Sequence, residues 1–294
     1  MTRVAGIDVG GTKCLGVVIN IDRDVNGERD LLAHVRYATP HASALVDTLV
    51  SVAGELGEVE TIGVGIPGLI TLHGVMRASP NIVGSVDVAV GPDLSARLGR
   101  HVYVDNDGNA AALAEWRYGA GRGARNMWMV TLGTGIGGGH VLNGVVQRGA
   151  NGFAGEIGHM VVHPQGPQCT CGRSGCWEVY ASGRGLRMLA GGEPGEDVIT
   201  RARTGDAAAM AVLDSYAQWV AVGLSNLTNL SDPDVIVIGG GVSGAGDIVM
   251  PMVQRWFADT LYSPEQRTHP ALRLAQLGEY AGAIGAALLP QFGV

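Results

Sequence analysis

Short apolar runs rich in β-branched residues alternate with glycine turns and with segments of helical spacing along the chain. Residues 4–7 and 14–19 are two such runs, separated by Asp8-Val-Gly-Gly-Thr-Lys13. The pattern predicts a strand, a tight glycine turn and a second strand, with residues 31–37 as a third. Residues 42–56 carry apolar side chains at helical spacing and stop at Gly57, which predicts a helix. Residues 61–66 form a short buried run halted by Pro67-Gly68, as a strand end requires. A strand is predicted over 102–104, with an alanine-rich helix over 107–119 behind it. Residues 127–132 and 137–142 repeat the strand, glycine turn, strand pattern. A long helix is predicted over 206–230 and a buried strand over 235–238, running into Gly239-Gly240-Gly241. A strand over 272–274 and a helix over 281–289 follow.

The glycine-hairpin unit thus occurs twice, near 3–37 and near 127–147, each time followed by alternating strands and helices. A repeat of that size is a repeat of domains, not a solenoid period. The economical reading is an α/β chain of two lobes with a cleft between them. Gly and Arg interrupt the pattern over 119–125, which marks the expected boundary.

Composition narrows the possibilities. Glycine contributes 47 of the 294 residues and proline 12, together below the level of a low-complexity chain. The glycines cluster beside apolar runs, so turns that approach a ligand closely explain them better than collagen or disorder. The formal charge of −7 lacks the basic footprint of nucleic-acid binding. Lys13 is the one lysine among 20 basic residues. Asp8 falls where a signal peptide needs an apolar run, and no stretch approaches 18 apolar residues. Neither secretion nor a membrane span is expected. Three of the four cysteines lie within 169–176. Without a secretory signal they point to a reducing cytoplasm and a metal site, not to disulfides.

Several segments carry chemistry. Asp8-Val-Gly-Gly-Thr-Lys13 sets Gly10, Gly11 and Thr12 in a turn whose N–H groups can cradle phosphate oxygens, with Asp8 placed to hold Mg²⁺ through water. It is neither a P-loop nor a Rossmann fingerprint. Thr131-Leu-Gly-Thr-Gly-Ile-Gly-Gly-Gly139 is a richer version, with Thr131, Gly133, Thr134 and Gly135 around the turn. One such turn is explained by a plain hairpin; two imply a nucleotide held between lobes. Gly239-Gly240-Gly241 leaves room for a flat ring, such as adenine, against the backbone. Asp105-Asn106-Asp107 stands at a strand end, where α/β sheets place their ligands. Asp107 can cap the next helix, serve as a general base, or do both.

The sharpest local signal is Glu156-Ile-Gly-His159 followed by Cys169, Cys171 and Cys176. Three thiols and one imidazole make a closed tetrahedral zinc set, and a closed set is structural. Gly172 and Gly175 permit a tight knuckle. His163 also lies near, and spacing alone does not choose between it and His159. Glu178 follows two residues after Cys176. A knuckle that fixes this loop pins Glu156, His159 and Glu178 together, a trio suited to a polyhydroxylated ligand.

These motifs, together with GVGIPG at 63–68, CTCGRSGCWE at 169–178 and VIGGG, make the chain resemble the ROK-family sugar kinases over nearly its whole length. The resemblance implies the two-lobed fold of the actin-like, sugar kinase and Hsp70 superfamily, with a ribonuclease H-like repeat in each lobe. It implies a small lobe over 1–119 on which the helix at about 281–294 packs back, and a large lobe over 120–280 holding the zinc knuckle and adenosine site. ATP would lie with its phosphates over Asp8, Gly10–Lys13 and Thr131–Gly135 and its adenosine near Gly239–Gly241, with Mg²⁺ beside it. Asp107 would take the proton of the attacking hydroxyl. Gly68, Asn81, Asn106, Asp107, Glu156, His159 and Glu178 would contact the sugar, and His159 would serve zinc as well. Glucose is the expected substrate, attacked at its 6-hydroxyl, ahead of mannose, fructose or N-acetylmannosamine; a non-catalytic sugar sensor is the alternative from another class. Homodimers or homotetramers are usual in the family. Many of its glucokinases carry Trp soon after the Pro-Asn pair, where this chain has Ile82-Val-Gly-Ser-Val-Asp87. Family repressors carry a helix-turn-helix ahead of the first glycine strand. Here that strand is expected by Arg3, so DNA binding is not expected.

Overall fold

The computed structural model describes residues 1–292. In chain order its elements are β1 (Arg3–Val9), β2 (Lys13–Asn20), β3 (Ala33–Ala38), α1 (Leu45–Leu56), β4 (Thr61–Ile66), β5 (Leu69–Ile70), β6 (Met76–Ala78), β7 (Val86–Val88), α2 (Val90–Leu98), β8 (Val102–Asn106) and α3 (Asp107–Tyr118). There follow β9 (Asn126–Leu132), β10 (Ile136–Leu142), β11 (Val145–Val146), α4 (Glu178–Ala181), α5 (Gly183–Leu189), α6 (Gly195–Arg203), α7 (Ala207–Ser231), β12 (Val235–Gly239), α8 (Gly246–Thr260), β13 (Ala271–Leu274) and α9 (Ala281–Leu288).

The first sheet is ordered β3-β2-β1-β4-β8 and the second β11-β10-β9-β12-β13. Each opens with three sequential strands and continues with two more that arrive by crossover, so the repeat read from the glycine hairpins is a repeat of sheet order. In the first sheet β1 pairs antiparallel with β2 and parallel with β4, and β4 pairs parallel with β8. Short β5, β6 and β7 form a small antiparallel sheet of their own.

The chain divides into two compact units. One comprises Met1–Met129, Gly139–Gly155 and the described residues from Ala275 on; the other comprises Val130–Gly138 and Glu156–Leu274. In the first unit, Ile7, Val9, Leu45, Leu49, Ile62, Val64 and Ile66 form the centre of a buried apolar core. Helix α9, Ala-Gly-Ala-Ile-Gly-Ala-Ala-Leu, is buried along most of its length and lies on β1, β4 and α3 at backbone distance. A Cβ on Gly285 would stand 1.7 Å from the Ala110 carbonyl oxygen, and one on Gly6 1.9 Å from that of Ala283. Only hydrogen fits at either place.

In the second unit α7 is the core helix, burying Leu213, Tyr216, Val220, Leu224 and Leu227 against α4, α5, α6 and α8. By length and average composition this 25-residue helix passes the threshold for a membrane span, although polar residues such as Asp214, Gln218 and Asn226 interrupt it and it is not a continuous apolar run. Its buried face accounts for the apolar content. The sequence pattern leaves α2, α4, α5, α6, α8 and β5 to β7 unassigned. Pro251 inside α8 explains one omission, because an internal proline removes a helix donor and reads as a break.

Candidate active site

Site residues of the first unit gather at the β1–β2 turn and the C-terminal ends of β4 and β8. The Gly10 N–H donates to the Lys13 carbonyl at 2.8 Å, and Thr39 ties the turn to β3 by donating its hydroxyl to the Gly10 carbonyl at 2.6 Å. A side chain added at Gly11 would meet the Asn81 Cβ at 3.8 Å, so Asn81 stands beside the glycine turn. Its loop is closed by Ser85, whose hydroxyl accepts from the Ser79 N–H at 2.9 Å and donates to the Ser79 carbonyl at 2.8 Å. Lys13 pairs with Glu279, which also holds Arg36 at 2.9 Å. These two cations hold the Glu279 carboxyl down to about 2, Arg36 contributing most.

Gly68 turns the chain after β4 at φ +108°, where a Cβ would meet the Ala78 carbonyl oxygen at 2.2 Å. Its carbonyl accepts from Asn106 Nδ2 at 3.0 Å. Asn106, in extended conformation, is the cap of α3: its Oδ1 accepts from the N–H groups of Gly108 at 2.8 Å and Asn109 at 3.4 Å. Asp107 is the first helical residue and its Oδ1 accepts from the Gly108 N–H at 2.9 Å. Capping therefore falls to Asn106, not to Asp107 as the sequence allowed. A carboxylate in the first turn is favoured by the helix dipole.

Asp8 lies within electrostatic reach of Asp107 and is partly buried. Burial pushes its carboxyl up to about 7, Asp107 adds to the rise, and Lys13 opposes it. Gly282 makes the space: a Cβ there would stand 2.6 Å from the Asp8 Cγ. Behind Asn106, Asp105 is fully buried and faces Arg148 Nε at 3.1 Å. Burial raises Asp105, with Arg148 pulling it back. Neither Gly282 nor Arg148 was singled out by the sequence, since a glycine in an alanine-rich helix and a lone arginine carry no motif.

In the second unit the β9–β10 turn is closed by the Gly133 N–H donating to the Gly135 carbonyl at 3.0 Å, and Thr131 Oγ1 accepts from the Gly137 N–H at 3.2 Å. Arg184 Nε donates to the Thr134 carbonyl at 3.1 Å. Gly240, at φ +89°, lies against this hairpin; a Cβ on it would meet the Leu132 carbonyl carbon and oxygen at 2.5 Å. The Gly239–Gly241 turn and the Thr131–Gly135 turn are thus neighbours.

His159, Cys169, Cys171 and Cys176 each offer a ligand atom, and these lie within 4.8 Å of one another. Cys171 and Cys176 sulfurs are 3.6 Å apart, and Cys169 Sγ is 3.8 Å from His159 Nδ1. Tetrahedral zinc with bonds of about 2.3 Å to sulfur separates its ligands by about 3.8 Å, so the residues fit that ion. His163 is engaged elsewhere, its Nδ1 3.0 Å from the Tyr180 hydroxyl. His159 Nε2 is 3.9 Å from Glu156 Oε2. Burial raises the Glu156 carboxyl, His159 lowers it, and Glu178 raises it again. Glu178 Oε1 accepts from Cys169 Sγ at 3.4 Å and Oε2 from the Ile136 N–H at 3.1 Å. One carboxylate thereby touches both the cysteine knuckle and the glycine hairpin.

Comparison with known proteins follows the same lines. The ROK family model matches residues 4–291. A glucokinase of Streptomyces coelicolor is 34% identical over 98% of this chain and 97% of its own. The crystal structure of a ROK family glucokinase from Streptomyces griseus, in complex with glucose and AMPPNP, superposes with a TM-score of 0.84 at 35% identity, covering 98% of each chain. That of a ROK hexokinase from Thermus thermophilus gives 0.79 at 36%, covering 98% of this chain and 97% of the other.

The raised Asp8 carboxyl has a consequence for stability. An unfolded aspartate titrates near about 3.9, while Asp8 folded titrates at about 7. Between these values the folded state keeps a proton that the unfolded state has released. This contribution to stability is therefore full at low pH, declines as pH rises toward about 7, and levels beyond it. In magnesium-free buffer, the Tm of Asp8→Asn minus that of the parent should grow from pH 5 to pH 8. A difference that stays constant over that range would show that Asp8 ionises normally.

Proposed function

Because the chain belongs to the ROK family, we propose that it is an ATP-dependent hexokinase that transfers the γ-phosphoryl group of ATP to the 6-hydroxyl of glucose. One observation carries the chemistry. Asp107 opens α3 with its backbone fixed by the Asn106 cap, close enough to raise Asp8 beside the Gly10–Gly11 turn. Asp107 accepts the proton of the attacking hydroxyl, and Asp8 is the carboxylate for Mg²⁺. Magnesium, when bound, neutralises charge on the phosphate oxygens. N–H groups of the two glycine turns, with Thr12, Lys13, Thr131 and Thr134, receive the phosphates, and Gly239–Gly241 receives the adenosine.

Glu156, His159 and Glu178 receive sugar hydroxyls, with Asn81, Asn106 and Gly68 completing the sugar set. The cysteine knuckle holds structural zinc, which orients His159 directly and Glu178 through the short stretch of chain from Cys176. A sugar lacking one of the paired hydroxyls would leave a buried polar group unmatched, which is costly. The glucose-bound Streptomyces griseus structure supports glucose as the sugar. A cytoplasmic homodimer or homotetramer belongs to the same reading.

Coupled ADP release with glucose, mannose, fructose, N-acetylglucosamine and N-acetylmannosamine tests the substrate. Glucose should give the highest kcat/KM; a tenfold preference for either N-acetyl sugar overturns glucose but leaves a kinase, and no release with any sugar leaves a sugar sensor. Asp107→Asn should bind glucose within about tenfold of the parent while kcat falls by roughly 10²-fold or more. A near-normal kcat would remove Asp107 as the base. Elemental analysis should find one zinc per chain, and Cys176→Ser should lose it together with stability and activity. A folded, active parent protein without zinc overturns the metal assignment.

A further inference from the structure

Behind the Asn106-Asp107 pair lies an ion pair that the chemistry above does not use. Asp105 has no exposed surface and Arg148 is 7% exposed. Arg148 Nε stands 3.1 Å from Asp105 Oδ2, off the hydrogen-bond line, so the attraction there is coulombic. Arg148 Nη2 donates to the Val104 carbonyl at 3.4 Å. The arginine thus grips the last turn of β8 at two successive residues.

The grip continues toward the site. Asp105 Oδ1 accepts from the Asn106 N–H at 2.7 Å and from Asn109 Nδ2 at 3.2 Å. Asn106 in turn holds the Gly68 carbonyl and caps α3. Asp107 is the next residue. Arg148 is itself firmly placed. Its carbonyl accepts from the Ala154 N–H at 3.1 Å. Gly152, at φ +92°, lies so close to β5 that a Cβ would meet the Ile70 carbonyl oxygen at 2.3 Å.

Stability alone does not account for such a pair. Two charges taken out of water lose hydration that their attraction repays only in part, and apolar residues of similar volume often serve as well or better. What a buried pair of fixed geometry does supply is a single position for the strand end. We propose that Arg148 is a positioning residue for phosphoryl transfer, acting through Asp105 and Asn106 to hold Asp107 at the angle required of the base. The proposal rests on the reading of Asp107 as that base.

A double-mutant cycle separates positioning from mere support. Arg148→Met should lower kcat at least tenfold and leave the KM for glucose within about threefold. In an Asp107→Asn background, where there is no base left to aim, the same change should alter kcat less than twofold. An equal loss in both backgrounds, or no loss in the parent, overturns the proposal. A near-normal kcat for Asp107→Asn alone instead overturns the base, and is read independently. Arg148→Met leaves the Asp105 carboxylate buried without its partner, so folding is controlled with Asp105→Asn/Arg148→Met, which removes both charges and keeps an amide oxygen to accept from Asn106 and Asn109. That variant should recover most of the lost Tm while kcat stays at least tenfold low. Recovery of kcat in step with Tm would make the pair structural only and overturn the proposal; should Arg148→Met not fold, this variant carries the cycle.

Discussion

The first unit depends on one constraint: a helix must lie directly on a sheet with no side chains between them. Six of the eight residues 281–288 are alanine or glycine, and β1 and β4 answer with Gly6 and Gly63. A Cβ on Gly63 would stand 1.9 Å from the Ala286 carbonyl oxygen. The same helix touches α3 through Gly285 and leaves room for the Asp8 carboxyl at Gly282. Interiors packed at crystal density have no slack to absorb a misplaced methyl group. The separations of Asp8, Asn106 and Asp107 are therefore inherited from backbone contacts, which are stiffer than side-chain contacts.

The second unit solves its own positioning problem by other means. Glu156, His159 and the three clustered cysteines sit on mostly irregular chain between β11 and α4, outside the five-stranded sheets. Cysteines and glycine turns take the place of regular structure: Gly175, at φ +72°, brings the chain so close to the His163 carbonyl that a Cβ would stand 1.7 Å away. Glu178 then links that knuckle to the hairpin at Ile136. The two units use opposite means, close packing in one and tethering in the other, to hold carboxylates still.

Much of this was legible in the sequence because the chemistry is local. Thr61–Ile66 is a strand at the bounds its apolar run predicts, and the three clustered cysteines with a nearby histidine are read from spacing because they fall within one loop, while the choice of His159 over His163 needs the structure. Other features were hidden for physical reasons. Asn and Asp both cap helices, and only the extended backbone of residue 106 assigns the role to Asn106. Arg148 meets Asp105 through tertiary structure alone. The membrane-like composition of α7 reflects burial inside a unit, which hydropathy cannot distinguish from burial in lipid. Short helices such as α4 and α6 are fixed by their neighbours more than by their own periodicity.

Because α9 completes a unit that β1 begins, the order of synthesis runs against the order of packing. A ribosome adding roughly 5–20 residues per second produces β1 and β4 tens of seconds before the helix that covers them. During that interval Gly6 and Gly63 have no partner backbone, and the sheet face beneath α9 is open to water or to a chaperone. The second unit, inserted between the segments of the first, can be fully formed before the first closes. Folding of this chain is thus expected to end, not begin, with the sheet that carries Asp8, and contacts of such long sequence separation are the slow ones to form.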